Sequence, residues 1–154
     1  MEQKGAAYIA PGAIVVGDVV LEEDVSIWYN AVLRGDSGAI RIGRGTNIQD
    51  NCVIHEKTDI GQYCTIGHGA IVHGCTVGNN TMIGMGAIVL TGAVIGENCL
   101  IGAGALVTGK MKAPDGSLIL GNPATVVKPV TEAQLEEIRA DAENYIRLAK
   151  ETLK

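Results

Sequence analysis

Starting at Ile42, a β-branched aliphatic residue recurs every six positions, at Ile48, Ile54, Ile60, Ile66 and Val72. One residue is then dropped, and the series resumes at Val77 and runs through Ile83, Val89, Ile95, Ile101 and Val107, so that all twelve sites are Ile or Val. A helix does not sustain a period of six, and side chains this stiff at χ1 suit extended backbone. A second column fixes the register. Two residues before the aliphatic site lie Thr46, Cys52, Thr58, Cys64, Ala70, Cys75, Thr81, Ala87, Ala93, Cys99 and Ala105, every one of them small. The residue after the aliphatic site is Gly at 43, 61, 67, 78, 84, 96 and 102, as expected where the chain turns a corner. Short strands alternating with tight turns follow.

Less regular spacing around Val16, Leu21, Ile27 and Leu33 extends the pattern backward, with an irregular insertion near Ser37-Gly38. The core this implies is aliphatic and repetitive, in keeping with 21 glycines, no phenylalanine and a single tryptophan. After Lys110 the repeat stops, and Pro114-Asp115-Gly116 and Gly121-Asn122-Pro123 mark a loop. Thr131 with Gln134 can form a capping box. Leu135, Ile138, Ala142, Tyr145 or Ile146, Ala149 and Leu153 then follow helical spacing. The chain of 154 residues is thus expected to form one domain: a parallel β-helix over 1–112, a connecting loop over 113–130 and an amphipathic helix over 131–154. The net charge of −5 is dispersed, with no basic cluster for nucleic acid, and no apolar run reaches the ~18 residues of a membrane span. The start, Met1-Glu2-Gln3-Lys4-Gly5, lacks a secretory pattern, and a cytoplasmic location is the expectation.

The hexads resemble those of the hexapeptide-repeat proteins. That resemblance implies a left-handed parallel β-helix with three strands, about eighteen residues, per coil, although the general rule for parallel crossovers is right-handed. Flat prism sides make a homo-oligomer plausible. Four cysteines all occupy the small-residue column and read as core rather than as metal ligands or disulfides.

The three histidines, His55, His68 and His73, fall within nineteen residues. His55 and His73 each replace the glycine after an aliphatic site, and they are eighteen residues apart, one coil of that fold. They should stack on neighbouring rungs. A tetrahedral zinc needs its nitrogens roughly 3.3 Å apart, so two stacked imidazoles need only lean together. His68 lies five residues before His73, nearly a whole prism side away, and should not reach the same ion within one chain. A symmetric neighbour could supply it, which would put the metal at a subunit interface.

The blocks Arg34-Gly35-Asp36, Asn47-Ile48-Gln49-Asp50-Asn51, Val53-Ile54-His55 and Ile66-Gly67-His68-Gly69-Ala70 leading to Val72-His73-Gly74-Cys75 resemble the gamma-class carbonic anhydrases, over about residues 10 to 150. The resemblance implies a homotrimer in which positions matching His55 and His73 come from one subunit and the position matching His68 from the next. It implies that Gln49 hydrogen-bonds a metal-bound hydroxide, that Arg34, Asp36 and Asp50 form an interfacial charge network, and that Tyr145 faces the site from the C-terminal helix. Three features depart from the best-known members: Asp36 is followed by Ser37 rather than glutamate, only Glu56-Lys57-Thr58-Asp59 separates His55 from the next repeat, and Arg147 replaces an asparagine.

The expected chemistry is the reversible hydration of carbon dioxide to bicarbonate on Zn²⁺, with Fe²⁺ or Co²⁺ as further possibilities, since imidazole suits all three. If all three histidines are ligands, none remains to carry the proton, which must leave through Glu56, a water chain or external buffer. Two other classes compete: an acyl-CoA-dependent acyltransferase or thioesterase on the same scaffold, and a catalytically silent, metal-stabilised trimeric scaffold.

Overall fold

Residues 1–153 are described by a computed structural model, in which the hexads form a parallel β-helix closed by one C-terminal helix. All twelve aliphatic sites point inward and are at most 3% exposed, and every residue of the small column is buried beside them. Each such Ile or Val contributes roughly 1.5–3 kcal/mol by leaving water. The threonines of the small column satisfy their hydroxyls on neighbouring backbone, as in Thr46 Oγ1 donating to Gly61 O at 2.7 Å and Thr81 Oγ1 to Gly96 O at 3.0 Å.

Strand pairing gives the coil length. Val53 pairs with Ile71, Ile71 with Ile88 and Ile88 with Leu106, advances of eighteen, seventeen and eighteen residues. The short advance is the dropped residue. Val32 pairs with Val53, an advance of twenty-one, so the coil holding Ser37-Gly38 has three residues more than the others. Strands there are long, Ile14–Glu22 and Val32–Ile42, and run around a corner from one face to the next instead of breaking at it.

Three faces result, and their outward columns differ in chemistry. On the first, Ile14, Val32, Val53, Ile71, Ile88 and Leu106 lie in register and are all aliphatic. On the second, the column reads Val20, Arg41, Asp59, Thr76, Val94 and Lys112. On the third, Ser26, Asn47 and Thr65 lie under the C-terminal helix.

That helix spans Glu132–Thr152, with the Thr131/Gln134 capping box formed at both ends of the exchange. It buries Ile138, Ala142 and Ala149. Tyr145 meets Trp28 edge-on with centroids 5.4 Å apart, and Lys150 Nζ reaches Asp24 Oδ1 at 3.2 Å. The last residue expected in this helix, Lys154, lies outside the described residues.

The segment 113–130, expected as a connecting loop, instead carries strands. Lys112–Ala113 and Ser117–Gly121 continue the parallel ladder, and Ala124–Pro129 folds back antiparallel on Ser117–Gly121. The hexad count persists here, with Ala113 six residues after Val107 and Ile119 six after that, both buried. An alanine in place of a β-branched residue hides the beat. The antiparallel strand pairs the last edge of this sheet, which would otherwise present open backbone groups.

Candidate metal centre

Where the first face meets the second, the register stacks Arg34 on His55 and His55 on His73. The two imidazoles stand 5.2 Å apart between centroids, at an interplanar angle of 73°. Together with the Glu56 carboxylate they offer three ligand atoms within 4.8 Å of one another. A contraction of about 1.5 Å by side-chain rotation would bring such atoms to tetrahedral spacing.

Ring orientation is fixed by neighbours. His73 Nδ1 lies 2.7 Å from Thr91 Oγ1, on the next rung and one residue past the position in register with His73. His55 Nε2 lies 3.1 Å from Ser37 Oγ and 3.3 Å from Asp36 Oδ1. Ser37 Oγ also donates to Glu56 Oε1 at 3.1 Å, so one hydroxyl ties the histidine to the carboxylate. Fastening one ring nitrogen and leaving the other free is how metal-ligating histidines are held.

The three-residue insertion makes this possible. Ser37 reaches the corner because Gly38 presses against the next coil: a Cβ on Gly38 would sit 2.5 Å from the backbone nitrogen of Lys57. Arg34 Nε approaches Asp36 Oδ1 at 3.7 Å, with both side chains about half exposed, a contact worth little by itself.

His68 stands apart from this group. It lies at the corner between the helix-bearing third face and the first face, where its Nδ1 is 2.8 Å from Asp50 Oδ2. His68 and His73 flank one strand of the apolar face, His68 before it and His73 at its end; five residues of extended chain cover roughly 16 Å.

Beside His68 a groove of about 540 Å³ runs between the third face and the helix. Gln49, His68, Asp141 and Tyr145 are among its polar lining residues, and Met82, Leu100 and Leu118 form much of its apolar wall. Gln49 is buried, and its amide donates to Asn47 Oδ1 at 3.1 Å, while Asn47 Nδ2 donates to Thr65 Oγ1 at 3.0 Å. Burial, reinforced by the carboxylates of Asp50 and Asp141, pushes the Tyr145 phenol above its usual pKa, so it remains a donor at neutral pH. Asp141 is itself pushed upward, by burial and then by Glu137.

The cysteines stay in the core. Burial pushes the thiols of Cys52 and Cys64 up to about 11 and that of Cys75 to about 12, and Cys99 moves the same way. All four are free.

The expected site residues thus divide between two corners: Arg34, Asp36, His55 and His73 at one, and Gln49, Asp50, His68 and Tyr145 at the other. Sequence reasoning did not find Ser37, Thr91 or the outward aliphatic column. Thr91 was hidden by the dropped residue: this coil has seventeen residues, so counting along the repeat sets Leu90 over His73 and leaves Thr91 one place beyond. The outward column lay one residue before each inward site of every third hexad. Ser37 sits in the insertion, where the repeat gives no register.

The family described as bacterial transferase hexapeptide (six repeats) matches residues 39–74 and 74–109. The chain is 50% identical over 146 residues to a Methanocaldococcus jannaschii protein named "Probable carbonic anhydrase", with 92% of each chain covered. It is 43% identical to gamma carbonic anhydrase 1, mitochondrial, of Arabidopsis thaliana, over 94% of this chain and 56% of that longer protein. Among solved structures, a hexapeptide transferase family protein from Anaplasma phagocytophilum superposes with a TM-score of 0.94 at 44% identity, covering 99% of this chain and 92% of the other.

Proposed function

The chain belongs to the gamma-class carbonic anhydrase family, and on that premise we propose that it catalyses the reversible hydration of carbon dioxide to bicarbonate at sites shared between the subunits of a homotrimer. Each site holds one divalent ion, Zn²⁺ with Fe²⁺ or Co²⁺ as substitutes, on His55 and His73 of one subunit and His68 of the next. The observation that carries this reading is the register pairing of His55 with His73, while His68 stands at the opposite edge of the same face.

The outward chemistry of the faces supports the assembly. The second face is largely polar and the third is covered by the helix, whereas the first presents six aliphatic side chains in register. A face whose two edges carry complementary parts of one site suits a cyclic, head-to-tail arrangement, in which each subunit offers its His68 edge to a neighbour's His73 edge.

When bound, a divalent ion supplies the Lewis acidity that makes water ionisable near neutral pH. The chain's own residues prepare the site for it. Thr91, Ser37 and Asp50 hold the three imidazoles in fixed orientations. Gln49, anchored through Asn47, presents a rigid amide to orient a reacting oxygen, and the neutral Tyr145 phenol donates from the helix side. The apolar wall of the groove favours an uncharged gas over water. Arg34 and Asp36 serve the subunit contact and orient His55. With all three histidines committed, the proton leaves to external buffer.

The test is stopped-flow carbon dioxide hydration on protein loaded anaerobically with zinc or ferrous ion, beside His68→Ala. The expected result is metal-dependent hydration that rises with buffer concentration and disappears in the variant. Metal binding at one ion per chain without hydration would defeat the proposal and turn the search to thioester substrates or to a structural role.

A further inference from the structure

The proposed shared site leaves one ligand-capable group of the same corner without a task. Glu56 lies beside both histidines, with its ligand atom and theirs mutually within 4.8 Å, and all three belong to one protomer. Two histidines and one carboxylate are a complete three-ligand set for catalytic zinc.

The backbone at Glu56 gives an independent reason to look for a role. Among the described residues, seven other than glycine have positive φ, and five of these are Asn or Asp, which tolerate the left-handed region. Glu56, at φ 61°, is one of the two exceptions. On the next rung the equivalent position, following His73, is Gly74 with the same φ of 61°. A glycine would therefore serve the turn better, and the strained position is occupied by a carboxylate that Ser37 aims toward His55.

Resting on the metal reading above, we propose that Glu56 is a metal ligand: with His55 and His73 it captures a divalent transition-metal ion within a single protomer, before a neighbouring subunit delivers His68. The ion then joins subunits that are already loaded, so metal uptake precedes assembly rather than waiting for it. Exchange of a carboxylate for an imidazole at one position leaves the two stacked histidines in place throughout.

Cobalt(II) titrations followed by visible absorption, with sedimentation velocity on the same samples, test this on the full chain. His68→Ala is expected to retain one cobalt per chain while its trimer weakens. Adding Glu56→Gln to that variant should lower cobalt affinity more than about a hundredfold, since loss of even an outer partner of a ligand costs ten- to a hundredfold. In the same His68→Ala background Glu56→Gly should bind cobalt as poorly as Glu56→Gln, while Glu56→Gly alone should melt in its metal-free form at the same or a higher temperature than the wild type. Complete loss of cobalt from His68→Ala alone, or undiminished binding by the double variant, overturns the role of Glu56 and leaves the shared site standing. A lower melting temperature for metal-free Glu56→Gly assigns the side chain to the fold and also overturns it. Unchanged binding by His73→Ala would instead sink the metal reading itself.

Discussion

Ile71→Lys separates the fold of the protomer from its assembly. Ile71 lies in the middle of the outward aliphatic column, paired with Val53 on one side and Ile88 on the other, while its neighbour Val72 points inward and is fully buried. Within the isolated protomer, a lysine here extends into solvent from a sheet surface and costs less than about 1 kcal/mol in strand preference. Across a subunit contact the account is different. Burial of one large aliphatic side chain is worth roughly 1.5–3 kcal/mol, and an unpaired buried ammonium adds a penalty of several more. A total near 5 kcal/mol weakens each contact by more than about a thousandfold. Sedimentation velocity should find wild-type trimers and Ile71→Lys monomers at micromolar concentration, with circular dichroism unchanged. Thr76→Lys, at an outward position of the polar second face, should remain trimeric. Trimers of Ile71→Lys, or dissociation caused by Thr76→Lys, would show that the first face is not the contact.

Two further outcomes follow from local geometry and from the buried thiols. Gly38→Ala places a methyl group 2.5 Å from Lys57 N and 2.9 Å from its Cα, so the insertion must move away from the corner that Ser37 serves; metal affinity measured by calorimetry should fall about ten- to a hundredfold although no ligand is changed, and unchanged affinity would refute a positioning role for the insertion. The thiols of Cys52, Cys64 and Cys75 ionise near 9 when unfolded but at about 11 to 12 when folded, so the folded state holds their protons longer. Their contribution is fully present below pH 9 and is lost as pH rises toward 12, and urea titrations should show stability declining across that window, with Cys75→Ala declining less. A native chain that reacts with a thiol reagent at pH 8 as fast as an unfolded one would contradict their burial.

Much of this architecture was legible because a β-helix converts sequence distance into spatial distance with little freedom. Once Ile54 and Val72 are known to be inward on successive rungs, His55 must lie under His73, and the register pairing agrees. The last two parallel strands were missed because Ala113 breaks the visible β-branched beat although it is buried like the other inward residues. The long strands through Val32–Ile42 were missed for a related reason: an insertion cannot be assigned to a corner or a face by counting sixes. Side-chain partners such as Ser37 with Glu56 depend on where that segment folds, which the repeat does not dictate.

The departures from the repeat are therefore where its chemistry is concentrated. A uniform solenoid would place glycine after each aliphatic site and eighteen residues in each coil, and it would have no special edge. Here the glycine gives way to His55 and His73, the coil below gains three residues to bring Ser37 and Asp36 against His55, and the corner after His55 keeps Glu56 where the next rung has Gly74. Each departure costs something a regular rung would not, whether a strained φ at Glu56 or a close backbone approach at Gly38. These costs fall at one edge of one face, and the aliphatic column that adjoins it is the only outward column without a polar member among the described residues of the three faces. Strain and unpartnered apolar surface meeting along one edge are best explained together, because a site completed by a neighbouring subunit requires both a rigid half-site and a surface that holds the neighbour in register.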